Sequence, residues 1–182
     1  MPPITLVLLL LVVVPAAFFD IRQRRIPNWL VLAGLVTGIA LNTFLLYDNP
    51  SPVSGLWYSL QGIGVAFLVY FPLYLLRGMG AGDVKLMAAV GAIVGWKAWI
   101  FVLFFTSILG GLTAVLVVVS KGRIYHTLQN LGMILMSIRY RQAPYSTNPE
   151  LDVGTDQGVR MPHGVIIALG TIGFVVAKTI WP

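Results

Sequence analysis

Six acidic residues, Asp20, Asp48, Asp83, Glu150, Asp152 and Asp156, are the side chains in this sequence whose placement could support catalysis. There is no cysteine, hence no thiol nucleophile, no disulfide framework and no Cys-ligated zinc. With only His126 and His163 as histidines, any metal site would have to rest on carboxylates, and neither a metal nor another cofactor is expected. Asp20 closes one apolar run and Asp83 opens another, and acidic groups at that depth in a membrane are costly and often functional. Two carboxylates brought close repel each other and share a proton. One can then act as base toward a water while its protonated partner polarises a carbonyl. That is aspartic-peptidase chemistry, open to Asp20 and Asp83 if folding brings the two span ends together. Gly78, Gly80 and Gly82 just before Asp83 would let an extended peptide approach the backbone closely, so they are expected to bind substrate. Such irregular backbone is tolerated at membrane depth only where protein or water covers it.

Each of these residues also has a structural role open to it. Asp20 and Arg24 stand i,i+4, a pair worth about 0.2–0.5 kcal/mol on a helix, although a carboxylate near a helix C-terminus opposes the macrodipole. Asp83 could cap the helix that follows it. Lys85 could bind substrate or hold a carboxylate ionised, and could equally snorkel to the headgroups. Asp48 reads as a turn former. Glu150, Asp152 and Asp156 read as loop acids that could attract a basic peptide, with Asp156 the reserve catalytic candidate. His163 reads as an interfacial or capping residue.

The elements that must position these residues follow from composition. Of 182 residues, 58% are hydrophobic and 10% charged, against about 45–50% and 25% in ordinary soluble domains. That excludes a soluble enzyme and a disordered tail. The excess of 12 Lys+Arg over 6 Asp+Glu is too thin for a nucleic-acid surface; it reads as a topology signal. One domain over 1–182 is expected, an all-α membrane protein with six transmembrane helices at about 4–20, 29–47, 56–76, 84–95, 98–119 and 165–180. Pro27 ends the first helix and Asn28 is the expected N-cap of the second. The break at Gly95-Trp96-Lys97 divides spans four and five. In the polar loop 120–162, Leu128, Leu131, Ile134, Leu135 and Ile138 recur at helical spacing, which predicts an amphipathic cytoplasmic helix on the membrane surface. Gly34/Gly38 and Gly91/Gly95 form GxxxG pairs suited to close helix packing.

No positive charge precedes the first apolar run, whereas Arg22, Arg24 and Arg25 follow it; a retained helix with its N-terminus outside is expected rather than a signal peptide. Arg77, Lys85, Lys121, Arg123, Arg139, Arg141 and Arg160 then join those three on the cytoplasmic side. Only Lys97 and Lys178 fall outside, as the positive-inside rule requires. Both chain ends are expected outside, and Asp20 and Asp83 share the cytoplasmic face.

Asp20-Ile21-Arg22-Gln23-Arg24-Arg25-Ile26-Pro27-Asn28 resembles the first-aspartate signature of the type IV prepilin peptidases, and Gly80-Ala81-Gly82-Asp83-Val84-Lys85-Leu86 resembles their GxGD signature. The Met161-Pro162-His163-Gly164 start of the last span is also similar, except that His163 stands where the family has an aromatic such as tyrosine. The resemblance implies that Asp20 and Asp83 are catalytic and that the partner is a prepilin or pseudopilin. Its short basic leader would be removed at the cytoplasmic face of the bacterial inner membrane. The larger bifunctional members carry an extra cytoplasmic region, often with a cysteine tetrad. Only Arg22 to Asn28 separates the first two spans here, which argues against methyltransferase activity. The short peptidases of tight-adherence (Flp-type) pilus systems are the nearest in form. A non-catalytic component of a pilus or secretion machine is the alternative. A small transporter fits less well, because the acids lie at span ends.

Overall fold

The computed structural model describes residues 1–45, 52–122, 124–139 and 163–180, and the regular structure among them is helical. The helices are α1 (Pro3–Gln23), α2 (Asn28–Phe44), α3 (Pro52–Leu75), α4 (Ala81–Ser120), α5 (Ile124–Arg139) and α6 (His163–Ile180). α1, α3, α4 and α6 are long and apolar enough to cross a membrane, and α2 is a shorter apolar helix. Asp48, Glu150, Asp152, Asp156 and most of the 120–162 loop lie outside the described residues, as does the end of the second expected span.

The first arm of α4 is the centre of the bundle. From Leu86 to Gly95 every residue is buried, and α4 packs against α1, α2, α3 and α6. Leu86, Met87, Val90, Ile93 and Val94 meet Leu9 and Val13 of α1, Val31 of α2, Tyr70 of α3 and Ile167 of α6 in one apolar core. A lipid-facing helix needs no such burial, so the apolar side chains of the outer helices remain exposed: Leu11, Leu32, Leu68, Phe101 and Phe104 are among them.

α4 as one straight helix of 40 residues would run about 60 Å, twice the hydrocarbon thickness of a bilayer. It does not run straight. Gly95 has φ 71 and ψ 169, left-handed territory that favours glycine. Trp99 Nε1 donates to the Met87 carbonyl at 3.0 Å, although a straight helix would separate these residues by about 18 Å. The two arms therefore fold toward one another at the break expected near Gly95. The break frees the last carbonyls of the first arm, and buried carbonyls need donors. Asn42 Nδ2 serves Ala92 at 2.9 Å and Ile93 at 3.2 Å, and Tyr58 Oη donates to Val94. The Tyr58 ring fills the space where a side chain at position 95 would stand.

The expected GxxxG contacts hold, with a difference. Gly34 faces Val12, Gly38 faces the backbone at Ala92–Ile93, and Gly91 faces the backbone of Gly62. Gly95 lies in that same seam, its Cα 3.1 Å from where a Cβ on Gly62 would stand, and it also makes the break. Other boundaries also differ: α1 continues a turn past Asp20, α3 begins at Pro52, α4 at Ala81 and α6 at His163. α5 appears within the polar loop as expected, and its Leu128, Leu131 and Met136 are uncovered by the rest of the chain.

Candidate active site

Asp20 lies in the last turn of α1 and Asp83 in the first turn of α4, and both side chains are only 8% exposed. The two acids come from helices 63 positions apart in sequence (83 − 20), yet Asp83 stands within electrostatic reach of Asp20. The structure thus brings together the two acids that end and begin apolar runs.

Asp20 is held from a third helix. The Gly164 N–H in the first turn of α6 donates to Asp20 Oδ2 at 2.8 Å. A helix N-terminus offers unpaired N–H groups and a positive dipole end, both favourable to a carboxylate. Gly164 is needed for the approach: a Cβ there would lie 2.9 Å from Asp20 Oδ2. His163, the first residue of α6, also feels the Asp20 charge. The Asp20–Arg24 pair that helical spacing suggests does not form among the described residues. Arg24 leaves the helix with φ 52, and its backbone N–H bonds the Asp20 carbonyl at 2.9 Å.

Two capping expectations are corrected. Gly80, in an extended conformation, occupies the N-cap position of α4, and Asp83 sits inside the first turn, its carboxylate reaching back to the Gly80 backbone N–H. Likewise Pro27, extended at φ −62 and ψ 133, occupies the N-cap position of α2, where the backbone is not yet helical. Asn28 is therefore already helical, and its Oδ1 accepts a hydrogen bond from Lys85 Nζ at 3.1 Å. Of the three glycines, Gly78 closes α3 by donating its N–H to the Leu73 carbonyl at 3.0 Å. Gly80 borders Asp83, with Oδ2 3.3 Å from where its Cβ would be, and Gly82 packs on Ile26.

Tyr70 is the residue near the site that sequence reasoning missed. It is buried in α3, meets Trp99 edge-to-face at 5.9 Å, and lies within electrostatic reach of Asp83. The available signal was a tyrosine amid apolar residues of a span, since a buried phenol seeks a polar partner. Among the described residues no three or more His, Cys, Asp or Glu side chains gather as metal ligands.

A family model described as the type IV leader peptidase family matches residues 5–115, a stretch that contains both Asp20 and Asp83. The chain belongs to that family. Relatives of this type IV leader peptidase family chain include proteins named prepilin leader peptidase/N-methyltransferase. That of Myxococcus xanthus (strain DK1622) is 31% identical over 129 residues, covering 67% of this chain and 36% of the relative. That of Aeromonas hydrophila is 30% identical over 154 residues, 82% of this chain and 47% of the relative. That of Escherichia coli (strain K12) is 35% identical over 104 residues, 55% and 44% respectively. The family chain thus spans less than half the length of each of these relatives. No solved structure gives a significant match to it.

Proposed function

We propose that this chain is a membrane aspartic endopeptidase that removes the short basic leader of type IV prepilins, Flp-type in particular, or of pseudopilins. The observation that carries the reading is the pair of buried carboxylates, Asp20 and Asp83, within electrostatic reach at one end of the bundle. One carboxylate takes a proton from water as the water oxygen bonds to the scissile carbonyl carbon, and the protonated partner gives its proton to the carbonyl oxygen. Collapse of the tetrahedral species breaks the C–N bond, and the leaving nitrogen takes a proton back from the pair. The Gly164 N–H fixes the direction of Asp20 Oδ2 throughout, while Gly78, Gly80 and Gly82 leave room for the substrate backbone.

The reading extends to the whole of 1–182 as one membrane peptidase domain. The two arms of α4 then count as separate spans and α2 as a sixth, with both chain ends outside and the aspartates at the cytoplasmic face of the bacterial inner membrane. The basic residues Arg22, Arg24, Arg25, Arg77 and Lys85 near the aspartates support that orientation. Peptidase activity without N-methylation is proposed, since the α1–α2 connection is only Arg24 to Pro27.

A second reading, a non-catalytic component of a pilus or secretion machine, has one observation in its favour. Asp20 accepts the Gly164 N–H as an inter-helix cap, which is a sufficient structural reason for an acid. The two readings part on Asp→Asn, because asparagine caps as well as aspartate does but cannot take a proton from water. Leader removal from a co-expressed Flp-type prepilin, read as a gel shift, is expected to vanish in both Asp20→Asn and Asp83→Asn at equal membrane levels. Cleavage that survives either change removes that residue from the mechanism and brings Asp156 forward.

A further inference from the structure

The segments that carry the two aspartates meet at a second place, one turn away from the acids. Beyond Asp20, the connection between α1 and α2 turns back across the start of α4. Ile26 is buried there against Gly82, where a Cβ would lie 3.4 Å from Ile26 Cβ. Two residues further on, Asn28 Oδ1 accepts the hydrogen bond from Lys85 Nζ at 3.1 Å. The Asp20 segment is thereby fastened to the Asp83 helix at one apolar and one polar point.

Neither partner of the polar point is used in the way its local setting would suggest. Asn28 stands at a helix start but makes no capping bond, since Pro27 holds the N-cap position. Lys85 is exposed, and an exposed lysine at a membrane surface is free to reach into water or headgroups. Its ammonium is instead turned onto the neutral amide of the neighbouring helix. α1 packs mainly on α6 and only lightly on α4, so the 24–28 segment is a principal tie between the Asp20 end of α1 and the first turn of α4.

We propose that the Asn28–Lys85 hydrogen bond is a latch that sets the separation of Asp20 from Asp83, which makes Asn28 and Lys85 positioning residues for peptide cleavage. The proposal rests on the reading of Asp20 and Asp83 as the catalytic pair. The bond is solvent-exposed, so its loss loosens the pair without unfolding the bundle, whose core lies along the first arm of α4. Small displacements of reacting groups act on turnover more than on binding.

The test is leader removal by the full-length chain in membranes, with kcat and KM determined per folded enzyme. Lys85→Met and Asn28→Ala are each expected to lower kcat on the order of ten-fold with KM nearly unchanged. The double variant is expected to lose no more than either single one, because both remove one shared bond. Lys85→Arg, which keeps a cationic donor, and Asn28→Asp, which keeps the acceptor, are expected to recover most of the rate. A raised KM in Lys85→Met together with parental kinetics in Asn28→Ala overturns the latch and assigns the lysine to the substrate. Losses that follow only the amount of folded protein overturn it as well. Cleavage that survives Asp20→Asn or Asp83→Asn defeats the underlying catalytic reading instead, whatever Asn28 and Lys85 do.

Discussion

Replacing Gly164 by alanine sets two known effects against each other at the candidate site. The added Cβ would lie 2.9 Å from Asp20 Oδ2, 3.0 Å from Asp20 Cβ and 3.1 Å from Asp20 Cγ. Packed carbons sit about 3.5–4.0 Å apart, so the Asp20 side chain must retreat by roughly 0.5 Å. That retreat weakens the 2.8 Å bond from the Gly164 N–H, and a hydrogen bond to a charged group contributes about 1.5–3 kcal/mol. In the opposite direction, alanine is favoured over glycine within a helix by about 0.8–1 kcal/mol. The net loss of stability is about 1–2 kcal/mol, too small to empty the membrane of folded protein. Catalysis responds more sharply, because a 1 Å misplacement of a reacting group costs about 100-fold in rate. Leader cleavage per folded enzyme is therefore expected to fall roughly ten- to a hundred-fold. Gly173→Ala, on the same helix with its nearest neighbour at 3.4 Å, serves as control and is expected to cut normally. A Gly164→Ala protein that cuts within about two-fold of the parent refutes the reasoning, since the Asp20 carboxylate would then be free to move without consequence.

Gly95→Ala places a Cβ 2.1 Å from Tyr58 Cζ in a residue with φ 71; overpacking and left-handed strain together are expected to remove about 3 kcal/mol or more, read as a lowered thermal midpoint in detergent. A parental midpoint would mean that the α4 break is not glycine-dependent. Asn42→Leu leaves the Ala92 and Ile93 carbonyls without their side-chain donor, and each buried orphan costs about 1–3 kcal/mol in the same measurement. Because the chain has no cysteine of its own, Arg24→Cys and Lys178→Cys give clean topology reports. A membrane-impermeant thiol reagent added outside is expected to label position 178 at once and position 24 only after the membrane is opened. The reverse order would invert the proposed orientation.

Much of this molecule is legible without coordinates, for physical reasons. Apolar runs long enough for a bilayer dictate helices, because backbone groups in lipid must bond within their own segment. Gly95-Trp96-Lys97 announced a break between the spans expected at 84–95 and 98–119, which together exceed a single crossing. The helical spacing of Leu128, Leu131 and Ile134 announced α5, and Asp20 and Asp83 stood out because acids at the ends of apolar runs are expensive. Their signatures led to the family that the comparison with known proteins then supported. Helix ends were less legible. Pro27 and Gly80, not Asn28 and Asp83, occupy the N-cap positions, and shifts of one to three residues lie below what propensity resolves.

Other features exist only in three dimensions. Nothing in the spacing of Asp20 and Gly164 says that an α6 amide will hold an α1 carboxylate, because that bond joins positions 144 residues apart. Nor does any local rule join Asn28 to Lys85, Tyr70 to the neighbourhood of Asp83, or Trp99 to the Met87 carbonyl. Local sequence decides what forms a helix and where a backbone can bend, since those energies depend on neighbours along the chain. Which helix ends converge is decided by packing around the buried arm of α4, where close-approaching glycines and orphaned carbonyls leave few arrangements that satisfy every polar group.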